Sequence, residues 1–287
     1  MKHLVLGSTG TVGSRVVEAL LGRGEEVRAL TRSNERAEGL PEGASPVVGD
    51  LMETADYPRI FEGVDRLFLL NSVSPSELHE GLVAVNEARR HGIRRIVYLS
   101  VQAAERMPHV PHFAAKVQVE EAIRRSGIPW TILRPNNFYQ NDLWFRDALL
   151  EHGVYPQPLG PIGSSRVDVG DIAEAAARVL GEGGFEGRTL TLVGPEALSG
   201  PRCAELWGEA LGRRIHYGGD DLEAWGSEAR KMLPDWMVWD FQLMYAGFQQ
   251  DGLVATDADL EETRTVLGRS PRPFEDFARE TASAWLG

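Results

Sequence analysis

The sequence predicts an α/β protein with a doubly wound parallel sheet and a smaller, mostly helical C-terminal cap. Two observations lead to this prediction. Short runs rich in Val, Ile and Leu alternate with amphipathic stretches up to about residue 194, and near-continuous apolar strands are typical of parallel sheets that are covered on both faces. After residue 194 helical segments dominate and tryptophan becomes frequent.

Six apolar runs are predicted as the strands of the main sheet, and a seventh as an extra strand. In chain order they are HLVLG, EVRALT, SPVVGD, RLFLLN, RIVYLS, WTILRP and RTLTLVG, the last near residues 188–194. The clearest helices are predicted over residues 18–23, 76–90, 113–125 and 172–180. We expect one domain from residues 1–135 and 166–194, and a substrate or cap region from residues 136–165 and 195–287.

Composition excludes several classes of function. The 287 residues carry a formal net charge of −12, which argues against general affinity for nucleic acid or anionic lipid. The single cysteine, Cys203, allows no intramolecular disulfide and no zinc cluster. No apolar run has the length of a signal peptide core or a membrane span. We therefore expect a cytoplasmic protein with no metal and no membrane or nucleic-acid partner, and its oligomeric state stays open.

A glycine-rich turn follows the first strand and opens a helix in HLVLGSTGTVGSRVVEALL. Gly7, Gly10 and Gly13 permit a tight turn, approach of a pyrophosphate to the backbone, and close packing of helix on strand. The free N–H groups of the new helix would face the anion, and Thr9 and Thr11 could add hydroxyl donors. This context favours a dinucleotide site over a glycine turn without a ligand.

The end of the second strand, EVRALTRSN, indicates which dinucleotide binds. NAD-dependent enzymes usually carry Asp or Glu here for the ribose 2′-hydroxyl, but no carboxylate occurs before Glu35. Arg32 can pair with a 2′-phosphate, with no nearby acid in the sequence, so we expect NADP(H). The alternative is a surface arginine. Asp50, after the third strand, could accept from the adenine amino group or cap a turn.

Several segments together resemble the NmrA-like atypical short-chain dehydrogenase/reductases over most of the chain. They are GSTGTVG, TRS, VVGDL, HFAAKVQVEEAIRRSGIPWTILRP and VDVGDIAEAA. The resemblance implies a Rossmann sheet, with strand order 3-2-1-4-5-6 plus the extra strand, that binds NADP(H). The family includes reductases and also redox-sensing regulators with little or no turnover, so membership supports fold and cofactor better than it supports catalysis.

Typical short-chain dehydrogenases carry Y-x-x-x-K, in which tyrosine donates a proton and lysine holds the nicotinamide ribose. The corresponding residues here are His112 and Lys116. The resemblance implies ribose contact for Lys116, and His112 could donate a proton because histidine titrates near neutral pH. The alternative is a solvated helix face, on which Lys116, Glu120 and Arg124 form a charge ladder. Tyr139, after the sixth strand, is a second candidate proton donor.

Strand-end residues complete the predicted cofactor site. Ser100 ends the fifth strand, Asn71 and Ser72 end the fourth, and the resemblance implies that the loop after the sixth strand approaches the nicotinamide. That loop could instead merely turn the chain. The full predicted set is Gly7, Thr9, Gly10, Thr11, Val12, Gly13, Arg32, Asp50, Leu51, Asn71, Ser72, Ser100, Lys116, Pro135, Asn137 and Phe138.

These features predict an NADPH-dependent reductase that passes hydride to a small conjugated electrophile of the quinone, enone or imine type. The alternative is a catalytically weak NADP(H)-binding redox sensor that acts through a protein partner, since absence of the tyrosine is compatible with both. The expected partner is accordingly a small-molecule substrate or a protein. A nucleotide-sugar epimerase is the weaker third hypothesis, because it too would normally need the tyrosine.

Overall fold

A computed structural model describes residues 1–287, and its main element is a seven-stranded sheet of order β3-β2-β1-β4-β5-β6-β8. The strands are β1 (Lys2–Val5), β2 (Glu26–Thr31), β3 (Ser45–Val48), β4 (Arg66–Leu69), β5 (Arg95–Leu99), β6 (Trp130–Pro135), β7 (Val154–Tyr155), β8 (Arg188–Leu192) and β9 (His216–Tyr217). The predicted strand order is confirmed, and β8 is the extra strand beside β6. Two-residue strands β7 and β9 form a separate small sheet.

Eleven α-helices accompany the strands, and the predicted alternation of strand and helix is confirmed. The helices are α1 (Thr11–Gly22), α2 (Asn34–Ala37), α3 (Tyr57–Phe61), α4 (Glu77–Arg90), α5 (Pro111–Arg124), α6 (Val169–Gly181), α7 (Gly200–Leu211), α8 (Leu222–Ala229), α9 (Asp235–Asp251), α10 (Asp257–Leu267) and α11 (Phe274–Leu286). The predicted helical C-terminal region corresponds to α7–α11. No helix combines the length and the apolar character that crossing a membrane requires.

The central strands are apolar because both faces of the sheet are covered. All five residues of β5 are buried, and Leu4, Leu67, Ile96 and Ile132 from four strands belong to one hydrophobic cluster. β1 pairs in parallel with β2 and β4, and β5 pairs in parallel with β4 and β6. Parallel pairing brings the carboxyl ends of these strands to the same edge of the sheet, where ligands of doubly wound folds bind.

The chain divides into two compact units that interleave along the sequence. The first unit comprises Met1–Glu105, His112–Arg134 and Val169–Leu190, and the second comprises Arg106–Pro111, Pro135–Asp168 and Thr191–Gly287. The first unit contains β1–β5, most of β6, and the glycine-rich turn. The roles predicted for the two parts of the chain, cofactor binding and substrate or cap function, stay predictions.

Candidate functional site

The glycine-rich turn after β1 has the geometry of an anion cradle. Gly7 has φ +66°, a left-handed conformation that favours glycine. Gly10 is the N-cap of α1 and carries no side chain that could occupy the first N–H groups, and the first turn of α1 contains no acidic residue. A Cβ at Gly13 would lie 2.6 Å from the Gly7 carbonyl carbon. Close packing of α1 on the turn therefore depends on a glycine at position 13.

The surface of this turn is open. Gly7, Thr9, Gly10 and Thr11 are exposed, whereas Val12 beneath them is buried. Ser8 Oγ fixes the turn to the neighbouring strand by donating to the Leu30 carbonyl oxygen at 2.7 Å. The backbone is thus held from below, while its upper side stays accessible to a ligand.

Arg32 follows the last residue of β2 and has a half-exposed side chain. Its guanidinium nitrogens lie 3.8 Å from Asp50 Oδ2 and 3.5 Å from Glu80 Oε1. The expectation that Arg32 has no acidic neighbour is therefore wrong, because the carboxylates come from distant parts of the chain. Glu80 is nearly buried and is also bound by Ser76 Oγ at 2.6 Å. A 2′-phosphate beside Arg32 would meet a cation already shared with two carboxylates.

Asp50 caps the turn after β3, which was one of its two predicted roles. Its Oδ1 accepts from the backbone N–H of Met52 at 2.9 Å, and Leu51 between them is buried. Its contact with the adenine amino group stays a prediction.

One buried polar atom after β4 and one after β5 have no hydrogen-bond partner. Because Leu69 pairs with Tyr98 in the register of these strands, Asn71 and Ser100 both lie two residues beyond a paired position. Both are at most 5% exposed, and neither Asn71 Oδ1 nor Ser100 Oγ has a hydrogen-bond partner. Buried polar atoms are nearly always satisfied in native proteins, so Asn71 Oδ1 and Ser100 Oγ are candidate contacts for a ligand at this edge of the sheet. Ser72, next to Asn71, is exposed.

His112 and Lys116 lie on α5, and both are buried. The Lys116 ammonium donates to Glu77 Oε1 of α4 at 2.6 Å. Glu120, one turn further on, is fully buried and accepts from Arg134 and Arg124. The alternative of a solvated helix face is therefore wrong for Lys116 and Glu120, because their charges are paired inside the protein.

Tyr98, on β5, is fully buried, and its hydroxyl has no partner. Burial, together with the nearby negative charges of Glu77 and Glu120, raises the pKa of this phenol well above its usual value. A phenol in such surroundings is a poor proton donor at neutral pH.

The loop after β6 belongs to the second unit, where an arginine holds it. Arg166, fully buried, donates from Nε to Asn137 Oδ1 at 2.9 Å and from Nη2 to the Phe138 carbonyl oxygen at 2.6 Å. Its charge is balanced by Asp142 at 2.7 Å, with both side chains fully buried. Pro135 at the start of the loop is buried, while Asn137 and Phe138 are partly exposed.

Comparison with known proteins gives the family. The profile of the NmrA-like family matches residues 2–278. The chain belongs to the NmrA-like family. It is 30% identical over 286 residues to an NAD(P)H azoreductase of Xenophilus azovorans, with 98% of each chain covered. It is 32% identical over 284 residues to a (4-alkanoyl-5-oxo-2,5-dihydrofuran-3-yl)methyl phosphate reductase of Streptomyces griseus, again with 98% of each covered.

The fold agrees with this assignment. The NADPH-dependent quinone oxidoreductase of Escherichia coli, solved with NADPH, superimposes with a TM-score of 0.86 at 24% identity, and both chains are covered completely. At that level of identity the likeness shows a shared fold, namely the Rossmann sheet predicted from the sequence.

Tyr139 of this NmrA-like chain lies in surroundings that argue against its predicted role as a proton donor. The residue is fully buried, and its hydroxyl donates to the Arg272 carbonyl oxygen at 3.0 Å. Its ring packs against Phe274 and Phe277, with centroid distances of 5.1 Å and 5.7 Å. A hydroxyl engaged in this way would have to leave its partner to reach a substrate.

Sequence reasoning missed four residues that this NmrA-like structure brings to the predicted site residues. Glu77 and Glu80, three residues apart on the first turns of α4, contact Lys116 and Arg32. Arg166 holds the loop after β6, and Asp142 balances the charge of Arg166. Acidic residues at a helix start usually complement the helix dipole, and the sequence gives no further sign of their contacts. The one available signal for Glu77 and Glu80 was that their helix follows a strand whose end was predicted to line the cofactor site.

Proposed function

We propose that the protein is an NADPH-dependent reductase acting on small conjugated electrophiles of the quinone, enone or imine type. The observation that carries the proposal is the group of unsatisfied polar atoms at the carboxyl edge of the sheet, close to an open glycine cradle. Two reductases at 30% and 32% identity support a redox activity. The substrate class within that activity is part of the proposal.

The residues of the first unit fit NADP(H). Exposed backbone at Gly7 and Gly10 and the uncapped start of α1 would hold the pyrophosphate. Arg32 would bind the 2′-phosphate. Asn71 Oδ1 and Ser100 Oγ, buried and without partners, would gain partners from the cofactor. Lys116 would hold the nicotinamide ribose.

When bound, NADPH would supply a hydride, and one proton would complete the two-electron reduction of the substrate. His112 occupies the place of the tyrosine that usually donates this proton. A reduced quinone oxyanion is a weak base that water can protonate, so a quinone makes the smallest demand on a protein proton donor. The protein's contribution would then be placement of the reactants.

The test is NADPH oxidation over a panel of quinones, enones, imines and azo compounds, with the wild type, His112→Ala and Lys116→Ala. We expect turnover with at least one quinone, full rate in His112→Ala, and weaker NADPH binding in Lys116→Ala. Arg32→Ala should weaken NADPH binding about tenfold and leave NADH binding unchanged, because it removes a charge-assisted contact to the 2′-phosphate. Arg36→Ala, on the exposed face of α2, is the matched control.

Other outcomes would contradict the proposal in different ways. The first such outcome is a protein that oxidises no NADPH with any compound but binds NADP⁺ and NADPH with different affinities. If it also binds a protein partner in one redox state only, it is a redox sensor. A folded protein that binds neither form would exclude both functions.

A further inference from the structure

The pairing of Lys116 with Glu77 is the only ion pair of this lysine, and it is formed away from solvent. The two side chains are 9% and 2% exposed, and Nζ lies 2.6 Å from Glu77 Oε1. Buried ion pairs often contribute little net stability, because the loss of hydration offsets the attraction between the charges. Packing alone therefore gives no strong reason for a charged pair at this position.

Close helix packing brings the two residues together. Gly81 lies one turn after Glu77 on α4, and Val119 lies nearly one turn after Lys116 on α5. A Cβ at Gly81 would lie 2.5 Å from Val119 Cγ2 and 3.4 Å from Asn71 Oδ1. The glycine thus lets α4 and α5 approach each other next to one of the two unsatisfied polar atoms at the sheet edge.

Lys116 has more hydrogen-bond donors than its contact with Glu77 uses. An ammonium has three N–H donors, and the structure gives Lys116 one acceptor, Glu77 Oε1. Asn71 Oδ1, near Gly81 of α4, and Ser100 Oγ also lack partners. A sugar with two adjacent hydroxyls both accepts and donates, so it can satisfy lysine donors and an amide oxygen together.

We propose that Glu77 is a positioning residue that fixes the Lys116 ammonium, so that its two remaining donors serve the hydroxyls of the nicotinamide ribose. This inference rests on the proposed function. Glu77 uses one lysine donor and restricts the flexible four-carbon side chain to one placement. It also balances the lysine charge, so the site holds the cofactor without presenting a net positive charge next to His112.

The test compares two ligands that share the adenosine end. NADPH contains the nicotinamide ribose, and adenosine 2′,5′-bisphosphate lacks it. Glu77→Gln keeps an acceptor oxygen for Lys116 but removes the negative charge that fixes the ammonium, so it should weaken NADPH binding about tenfold, because a charge-assisted hydrogen bond is replaced by a weaker neutral one. It should leave binding of the bisphosphate unchanged. The matched control is Glu87→Gln, which removes the charge of another buried glutamate further along the same helix. This variant should bind both ligands like the wild type.

A double variant keeps the test decisive if Glu77→Gln destabilises the fold by leaving Lys116 unpaired. Glu77→Gln with Lys116→Met removes both charges and should bind NADPH as weakly as Lys116→Met alone, because Glu77 acts through the lysine. Thermal melting of each variant monitors the fold. The inference is overturned if Glu77→Gln binds NADPH like the wild type, or loses both ligands equally. It is also overturned if the double variant binds NADPH more weakly than Lys116→Met.

These results separate the inference from the proposed function. If the wild type binds NADPH no more tightly than the bisphosphate, the nicotinamide ribose adds no affinity, and its proposed contact with Lys116 is contradicted. A different result is that the wild type binds NADPH, Lys116→Met binds it more weakly, and Glu77→Gln binds it like the wild type. This result leaves the reductase proposal intact and removes only the role of Glu77.

Discussion

Tyr139 and Tyr98 are both fully buried, but their hydroxyl groups differ in one respect. Tyr139 donates to the Arg272 carbonyl oxygen, whereas the Tyr98 hydroxyl has no partner. Removing a satisfied hydroxyl costs a hydrogen bond, while removing an unsatisfied one costs little or even stabilises the protein. The two tyrosines therefore form a natural comparison for the role of Tyr139.

Tyr139→Phe should lower the free energy of unfolding by about 1 kcal/mol, the typical net value of a hydrogen bond. It should leave the rate of NADPH oxidation unchanged. Urea denaturation and a turnover assay measure the two effects, and Tyr98→Phe, expected to be neutral or stabilising, is the control. A fall in rate of about a hundredfold in Tyr139→Phe would instead restore Tyr139 as the proton donor.

Single residues of the candidate site could be located from local sequence, although the roles predicted for them stay predictions. The glycine spacing, Arg32 at a strand end, and Lys116 at the family spacing are all visible in short segments. Contacts between residues far apart in the sequence were not predictable. Glu77 is 39 residues from Lys116 in sequence, and Asp142 is 24 residues from Arg166. Such pairs depend on how helices and loops pack, which no local pattern specifies.

Helix α1 shows how one element depends on a single small residue. Gly13 faces the carbonyl group of Gly7, whereas a Cβ at Gly22, at the other end of the same helix, would meet no atom within 4 Å. Alanine should therefore be tolerated at position 22 and not at position 13.

Gly13→Ala should destabilise the protein by about 1–3 kcal/mol, because the added methyl group forces α1 away from the turn. NADPH binding should fall below detection, since the displaced helix no longer presents its N–H groups to the pyrophosphate. Gly22→Ala should leave binding unchanged and should not destabilise the fold, because alanine is favoured over glycine in a helix. Calorimetric titration and thermal melting of both variants measure these effects, and unaltered NADPH binding in Gly13→Ala would contradict the proposed cradle.

The strands of the main sheet and the helices between them were predictable, whereas the shortest elements were not. Strands of the main sheet are apolar because they are buried on both faces, so their sequences alone identify them. The two-residue strands β7 and β9 pair Val154 with His216, and each is too short for a periodic pattern. Helices α2 and α3 have four and five residues, and helices of this length are stabilised by their surroundings rather than by propensity.

Over the whole molecule, several groups titrate so that acid destabilises the fold. Burial lowers the pKa of His3 below its ordinary value of 6.5, despite its hydrogen bond to Glu25. Hydrogen bonds from the Lys2 N–H and from Arg94 lower the pKa of Asp65, and those from Arg178 and Arg23 lower the pKa of Glu182. In every case the unfolded chain binds the proton more tightly than the folded one.

The free energy of unfolding should therefore fall as the pH is lowered, in two ranges. The first loss begins as the pH passes below about 6.5, where His3 protonates in the unfolded chain, and the second below about 4.5, where the carboxylates do so. Urea denaturation at a series of pH values measures both. His3→Gln should reduce the first loss and His109→Gln, at an exposed histidine, should not; equal pH profiles for wild type and His3→Gln would contradict the assignment.

The interleaving of the two units restricts how this protein can be divided. Each unit is assembled from three separate stretches of chain, and the last stretch of the first unit begins at Val169, after the second unit has already started. No single cut or truncation therefore releases either unit as a continuous fragment. Expressing either unit by itself would need two engineered junctions to join its three stretches of chain.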